Sequence, residues 1–217
     1  MNNRISFEEG VELLKNAELF DLQKKAVEVR NLKNPAAEVT YVVDTNPNYT
    51  NACTADCLFC AFYRKPGDDE VYVKTLEEVR QFFKDARALN ATTVLLQGGL
   101  HPDLPLSYYT DIVRMTKDEF PEIAPHFWSA PEIQNIAEVE NISDRQVLEA
   151  LYEAGQRSLP GGGAEVLTQR VRNKISPKKQ KVEKWLSIHE TAHDIGMLST
   201  ATMMYGHREE VEDIVEH

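Results

Sequence analysis

NYTNACTADCLFCAFYR, residues 48–64, holds all three cysteines of the 217-residue chain, Cys53, Cys57 and Cys60, in the spacing C-x3-C-x2-C. An odd number of thiols crowded into one loop is a poor disulfide framework. Metal ligation suits the pattern better. Zinc binds thiolates well, and a histidine would complete its four ligands, but structural zinc sites usually draw on two separated ligand pairs. An iron–sulfur cubane held by three thiolates leaves one iron free for a further ligand. Inert, buried cysteines are the plain alternative.

Outward from the triplet, the chain alternates helices with short β-branched runs. EVTYVVD, 38–44, reads as a first strand that runs into the cysteine loop. Two helices precede it, one opened by a capping box of Ser6 and Glu9 and ending near residue 16, the other running through Leu32. After the loop, Thr75 and Glu78 open a helix with apolar residues at helical spacing, and Asn90 fits the left-handed position that ends it. TTVLLQ, 92–97, reads as a buried parallel strand. A helix over about 107–119, a weaker strand at HFWS, and a helix from Ser143 and Gln146 to Gly155 follow. QRSLP is a fourth strand, a helix spans about 180–195, and LSTATMMY is a fifth strand.

Strands separated by helices imply right-handed βαβ crossovers and a parallel sheet, either doubly wound or part of a (β/α) barrel. Both folds place ligands at the carboxyl ends of the strands. The unusual residues lie there: the cysteines after strand one, GGLHP after strand two, PGGGAE after strand four and GH after strand five.

With 42% hydrophobic and 27% charged residues, the chain has the makings of a globular core. No apolar run approaches the roughly 18 residues of a membrane span, and MNNRISFEEG lacks the apolar core of a secretory signal, so a cytoplasmic location is the default expectation. A formal net charge of -11 argues against a nucleic-acid surface. RVRNKISPKKQKVEK, 170–184, is a local exception with seven basic residues and one acid, read as a solvated face or an anion contact.

CTADCLFC, with Phe59 before the last cysteine, resembles the radical S-adenosylmethionine (SAM) superfamily. NYTNAC, CAFYR, QGGLHP, PGGGAE, ISPKK, TAHDIG and ATMMYGH are together similar to the cyclic dehypoxanthine futalosine synthase family, radical enzymes of the futalosine route to menaquinone. Aminofutalosine synthase and the deazaflavin-forming FO synthase share the CAF and MMYGH signatures. GGGAE and SPKK favour the cyclase. Two departures stand out: Asn90 where a glycine is expected, and FWSAPEI where relatives more often read FSPPEI.

The resemblance implies a partial (β/α) TIM-type barrel of about five parallel strands, residues 35–217, behind an N-terminal helical segment, 1–34. Nothing before the last residues, EDIVEH, supplies strands six to eight, so a truncated barrel with open edges is expected, and a homodimer would cover such an edge. By the same resemblance, Cys53, Cys57 and Cys60 hold a [4Fe-4S] cluster whose open iron chelates S-adenosyl-L-methionine, and Phe59 shields it. Gln97, Gly98 and Gly99 are expected to receive the methionine amino group, Glu165 the ribose hydroxyls, and Arg172 the methionine carboxylate. His101 and His207 are the expected catalytic acid–base residues facing a nucleoside substrate. Met203 or Met204 lines the adenine pocket, whereas Trp128, Trp185 and His193 are expected to pack. The implied chemistry is reductive cleavage of SAM, with an electron from flavodoxin or ferredoxin, to a 5'-deoxyadenosyl radical that abstracts a ribose hydrogen and so closes the cyclic nucleoside.

Overall fold

Local capping sets the helix starts. In the computed structural model, which describes residues 4–36 and 38–217, Ser6 and Glu9 exchange side-chain and backbone hydrogen bonds to open α1 (Phe7–Asn16). After α2 (Leu19–Lys33), the same device at Thr75 and Glu78 opens α3 (Leu76–Ala88). Ser143 and Gln146 open α6 (Asp144–Ala154), which Gly155 closes at φ 118°. The remaining helices are α4 (Leu106–Glu119), α5 (Ala130–Glu140), α7 (Gln169–Ile175), α8 (Val182–Ile195) and α9 (Val211–Glu216).

Five short parallel strands form the wall that these helices cover. β1 (Asp44–Thr45), β2 (Thr93–Val94) and β3 (Ala124–Pro125) pair in that order, with Asp44 opposite Thr93 and Thr93 opposite Ala124. β4 (Ser158–Leu159) pairs in parallel with β5 (Leu198–Ser199), and a bridge from His126 to Ser158 joins the two groups. The spatial order therefore follows the chain order. A doubly wound sheet reverses its order at a switch point, whereas a barrel wall does not. The wall is an arc of a (β/α) barrel, as the resemblance implied.

The strands are shorter than the sequence suggests. Pairing of the first begins only at Val43, whose carbonyl accepts from Thr92 N at 2.8 Å. Asn90, at φ 58°, turns the chain just ahead of β2, so residues 38–42 have no strand opposite them. Tyr41 is accordingly 87% exposed. The fifth strand is only two residues long, and Met203 and Met204 beyond it pack on Val166, Val171 and Ile175.

Alternation along the strands divides the wall into two faces. Val94, Leu96, Phe127 and Leu159 point outward and are fully buried with Phe83, Ile112, Leu151 and Ile188 in one core. Trp128 packs edge-on against Tyr49 and Tyr109 at centroid distances of 5.1 and 5.0 Å, and Trp185 joins the same core. Thr93, Leu95 and Gln97 point to the inner face, so TTVLLQ is buried on one side and lines a cavity on the other. α1 packs on α9 beside an ion pair of Lys15 and Glu212, while α2 buries none of its residues. No helix among the described residues is long and apolar enough to cross a membrane.

Phe83→Ala removes a ring with no exposed surface that touches Phe120 and Phe127, and is expected to destabilise by about 3–5 kcal/mol. Phe20→Ala on α2, 81% exposed, is expected to change stability by no more than about 0.5 kcal/mol. Urea denaturation of the two variants checks both values.

Candidate functional site

The carboxyl ends of the parallel strands share one side, and the loop after β1 lies over them. Backbone hydrogen bonds fix that loop: Cys53 N donates to Arg64 O at 2.9 Å, Thr54 N to Leu100 O at 3.2 Å, and Leu58 N to Ile175 O at 2.9 Å. Lys178 pairs with Asp56 and ties the loop to the segment after α7. The three thiols consequently line one cavity of about 290 Å³, together with Phe59, Gln97, Gly98, Gly99 and Lys179. Gly99 is required there, because a Cβ at that position would stand 2.0 Å from Ala52 O and 3.0 Å from Cys53 Cβ.

Among the described residues, no three His, Cys, Asp or Glu side chains gather around a point suited to one metal ion. A lone zinc needs every sulfur about 2.3 Å from one centre. A cubane instead offers separate iron corners to separate thiolates, so three thiols on one cavity, beside backbone that passes close without a side chain, fit a cluster. Burial pushes the Cys57 thiol up to about 11, with the Lys179 ammonium partly opposing the rise. Metal binding must therefore displace a proton from a neutral thiol.

Lys179 is a site residue that the sequence reading left within a basic segment. Its ammonium pairs with the Glu165 carboxylate, both largely buried, and lies 5.6 Å from the centroid of the Phe59 ring. Glu165 holds a left-handed backbone at φ 48° and reaches the cavity through this pair rather than by lining it.

Glu132 is a second residue the sequence reading missed. It is 2% exposed. One carboxylate oxygen accepts from Tyr49 Oη and Gly98 N, both at 3.0 Å, and the other accepts from Ser129 N at 2.7 Å and Ser129 Oγ at 2.6 Å. Burial raises its pKa, and its hydrogen bonds to Ser129, Gly98 and Tyr49 act against that rise. The signal was present in FWSAPEI as a Ser-x-x-Glu capping box, which opens α5.

Arg172 lies deeper than the sequence suggests. Its guanidinium is 1% exposed and donates to Gly163 O, Ala164 O and twice to Gln180 O, at 2.6 to 3.2 Å. These bonds occupy most of its donors, so in this structure it braces the PGGGAE loop. His101 and His207 are not brought into the thiol cavity. His101 Nδ1 accepts from Asp103 N at 3.1 Å, and His207 lines a neighbouring cavity of about 660 Å³ with Phe59 between the two.

Arg172→Lys is expected to destabilise by about 3 kcal/mol, since buried carbonyls lose charged donors. Thermal denaturation checks this; unchanged stability with weakened SAM binding would instead support the ligand role.

The radical SAM superfamily matches residues 47–217. The chain is 39% identical over 214 residues to the cyclic dehypoxanthine futalosine synthase of Halalkalibacterium halodurans, covering 99% of this chain and 58% of that protein. It is 39% identical over 215 residues to the aminodeoxyfutalosine synthase of Thermus thermophilus, with 99% and 57% covered. It is 38% identical over 198 residues to the 5-amino-6-(D-ribitylamino)uracil--L-tyrosine 4-hydroxyphenyl transferase of Methanopyrus kandleri, with 91% and 53% covered. The chain thus spans little more than half the length of these relatives. The fold is shared with the crystal structure of methylornithine synthase at TM-score 0.72 and 14% identity, covering 99% of this chain and 60% of that one. Enzymes of this superfamily use a [4Fe-4S] cluster and S-adenosylmethionine. Three thiols on one cavity, at the strand ends of a barrel wall whose sequence matches from residue 47 to 217, place the chain in the radical S-adenosylmethionine superfamily, to which it belongs.

Proposed function

We propose that the chain acts in a radical SAM enzyme that cyclises dehypoxanthine futalosine to cyclic dehypoxanthine futalosine in menaquinone biosynthesis. The observation that carries this reading is the convergence of Cys53, Cys57 and Cys60 with Gln97, Gly98 and Gly99 on one cavity, in a chain with 39% identity to a cyclase of that name.

In this reading Cys53, Cys57 and Cys60 anchor the cluster, and Phe59 screens it from solvent. When bound, the cluster and SAM supply a 5'-deoxyadenosyl radical for hydrogen abstraction. The bare backbone at Gly98 and Gly99 admits the methionine amino group. Lys179 sets a positive charge in the thiol cavity, which partly opposes the upward push of burial on Cys57. Glu165, fixed by Lys179, is assigned to the ribose hydroxyls. His101 and His207, on the strand-end side, are the acid–base candidates. The reducing electron comes from a donor of the flavodoxin or ferredoxin class.

A second reading has its own support: the aminodeoxyfutalosine synthase and the tyrosine hydroxyphenyl transferase match at nearly the same identity. Anaerobically reconstituted protein is expected to form 5'-deoxyadenosine faster when dehypoxanthine futalosine is added. Stimulation by another relative's substrate, with none by dehypoxanthine futalosine, would move the assignment to that relative. Cys57→Ala is expected to lower bound iron and abolish 5'-deoxyadenosine formation, both measured directly; retained cleavage would break the ligand assignment.

A further inference from the structure

The inner face of the wall is too polar for a packed barrel interior. Barrel interiors are filled chiefly by bulky branched side chains. Here Asp44, His126, Ser158, Thr200 and Thr202 line a cavity of about 490 Å³, within the size range of small-molecule sites. Val42, Leu95 and Leu198 flank them. Neither the family match nor the thiol cavity assigns a role to these residues.

Three successive strands supply a chain of hydrogen-bonding groups. His126, just past β3, places Nδ1 2.7 Å from Ser158 Oγ on β4 and Nε2 3.2 Å from Thr200 Oγ1 just past β5. Thr200 Oγ1 also accepts from Gly161 N at 3.0 Å. A neutral imidazole has one donor and one acceptor. If Nδ1 carries the proton, Thr200 donates to Nε2 and the Ser158 hydroxyl hydrogen is free; if Nε2 carries it, Ser158 donates to Nδ1 and the Thr200 hydrogen is free. Among the described residues, the other contact of Ser158 Oγ, Pro125 O at 3.5 Å, is too long to hold that hydrogen. Either tautomer leaves a donor beside unused lone pairs, which matches neighbouring hydroxyls that both donate and accept. Burial lowers the pKa of His126, while Asp44 opposes the change.

We propose that this face binds the polyhydroxyl part of the substrate, a ribose or ribityl group, with His126, Ser158 and Thr200 contacting its hydroxyls and Val42, Leu95 and Leu198 packing on the flat face of the ring attached to it. Gln97 lines both this cavity and the thiol cavity, so a ligand here lies next to the cofactor site. Which polyol is bound rests on the function proposed above; the polyol site itself does not.

The test is calorimetric titration of the full reconstituted chain with two probes, dehypoxanthine futalosine and 5-amino-6-(D-ribitylamino)uracil. Wild type is expected to bind one of them, and His126→Ala and Thr200→Val are each expected to weaken that binding by about tenfold at an unchanged circular dichroism spectrum. Thr200→Val is nearly isosteric and keeps the test decisive if His126→Ala does not fold. Unchanged affinity in the folded variants, or no binding of either probe to wild type at millimolar concentration, overturns the polyol site. Binding of the ribitylaminouracil alone, weakened by the variants, supports the polyol site and overturns the futalosine assignment.

Discussion

A single carboxylate, Glu132, fastens the ends of the first three strands. It holds Tyr49 beyond β1, Gly98 beyond β2 and Ser129 beyond β3 through four hydrogen bonds in a dry environment. A buried carboxylate is tolerated only when such donors surround it. The strands here are two residues long, so their ladders alone fix little. Glu132 supplies register at the level where the cavity begins, and Gly98 and Gly99 take their position from it.

The same wall serves two chemistries because strand side chains alternate. The outward set is apolar and joins the helices in one core, which gives the strand ends a rigid base. The inward set is polar and faces a cavity. Above both, the cysteine loop is tied by backbone bonds to its own return, to Leu100 and to Ile175. Buried cations complete the assembly in different ways. Arg172 spends its donors on the carbonyls of the PGGGAE loop and Gln180, whereas Lys179 keeps its charge beside the thiols through Glu165.

Much of this was legible in the residues. Capping boxes at Ser6, Thr75 and Ser143 marked helix starts, because that signal is local and complete within four residues. The cysteine spacing marked a loop of candidate metal ligands for the same reason. The box at Ser129 passed unread since FWSAPEI looked like a strand mouth, and α5 was missed with it. Strand lengths were overestimated because β-branched runs show propensity but not where a partner begins. Arg172 and Lys179 belong to one basic segment and look alike in it; their surroundings made one a brace and the other a site charge.

The sequence by itself determined most of the helices, the alternation of helix and strand, the loops that gather at the strand ends and the thiol triplet, since each depends on residues close along the chain. Only the tertiary structure decided the barrel-like strand order, the role of Glu132, the fate of each buried cation, and the meeting of His126, Ser158 and Thr200 on the inner face. Those features depend on which distant segments become neighbours when the outer core is buried, and no local pattern encodes that.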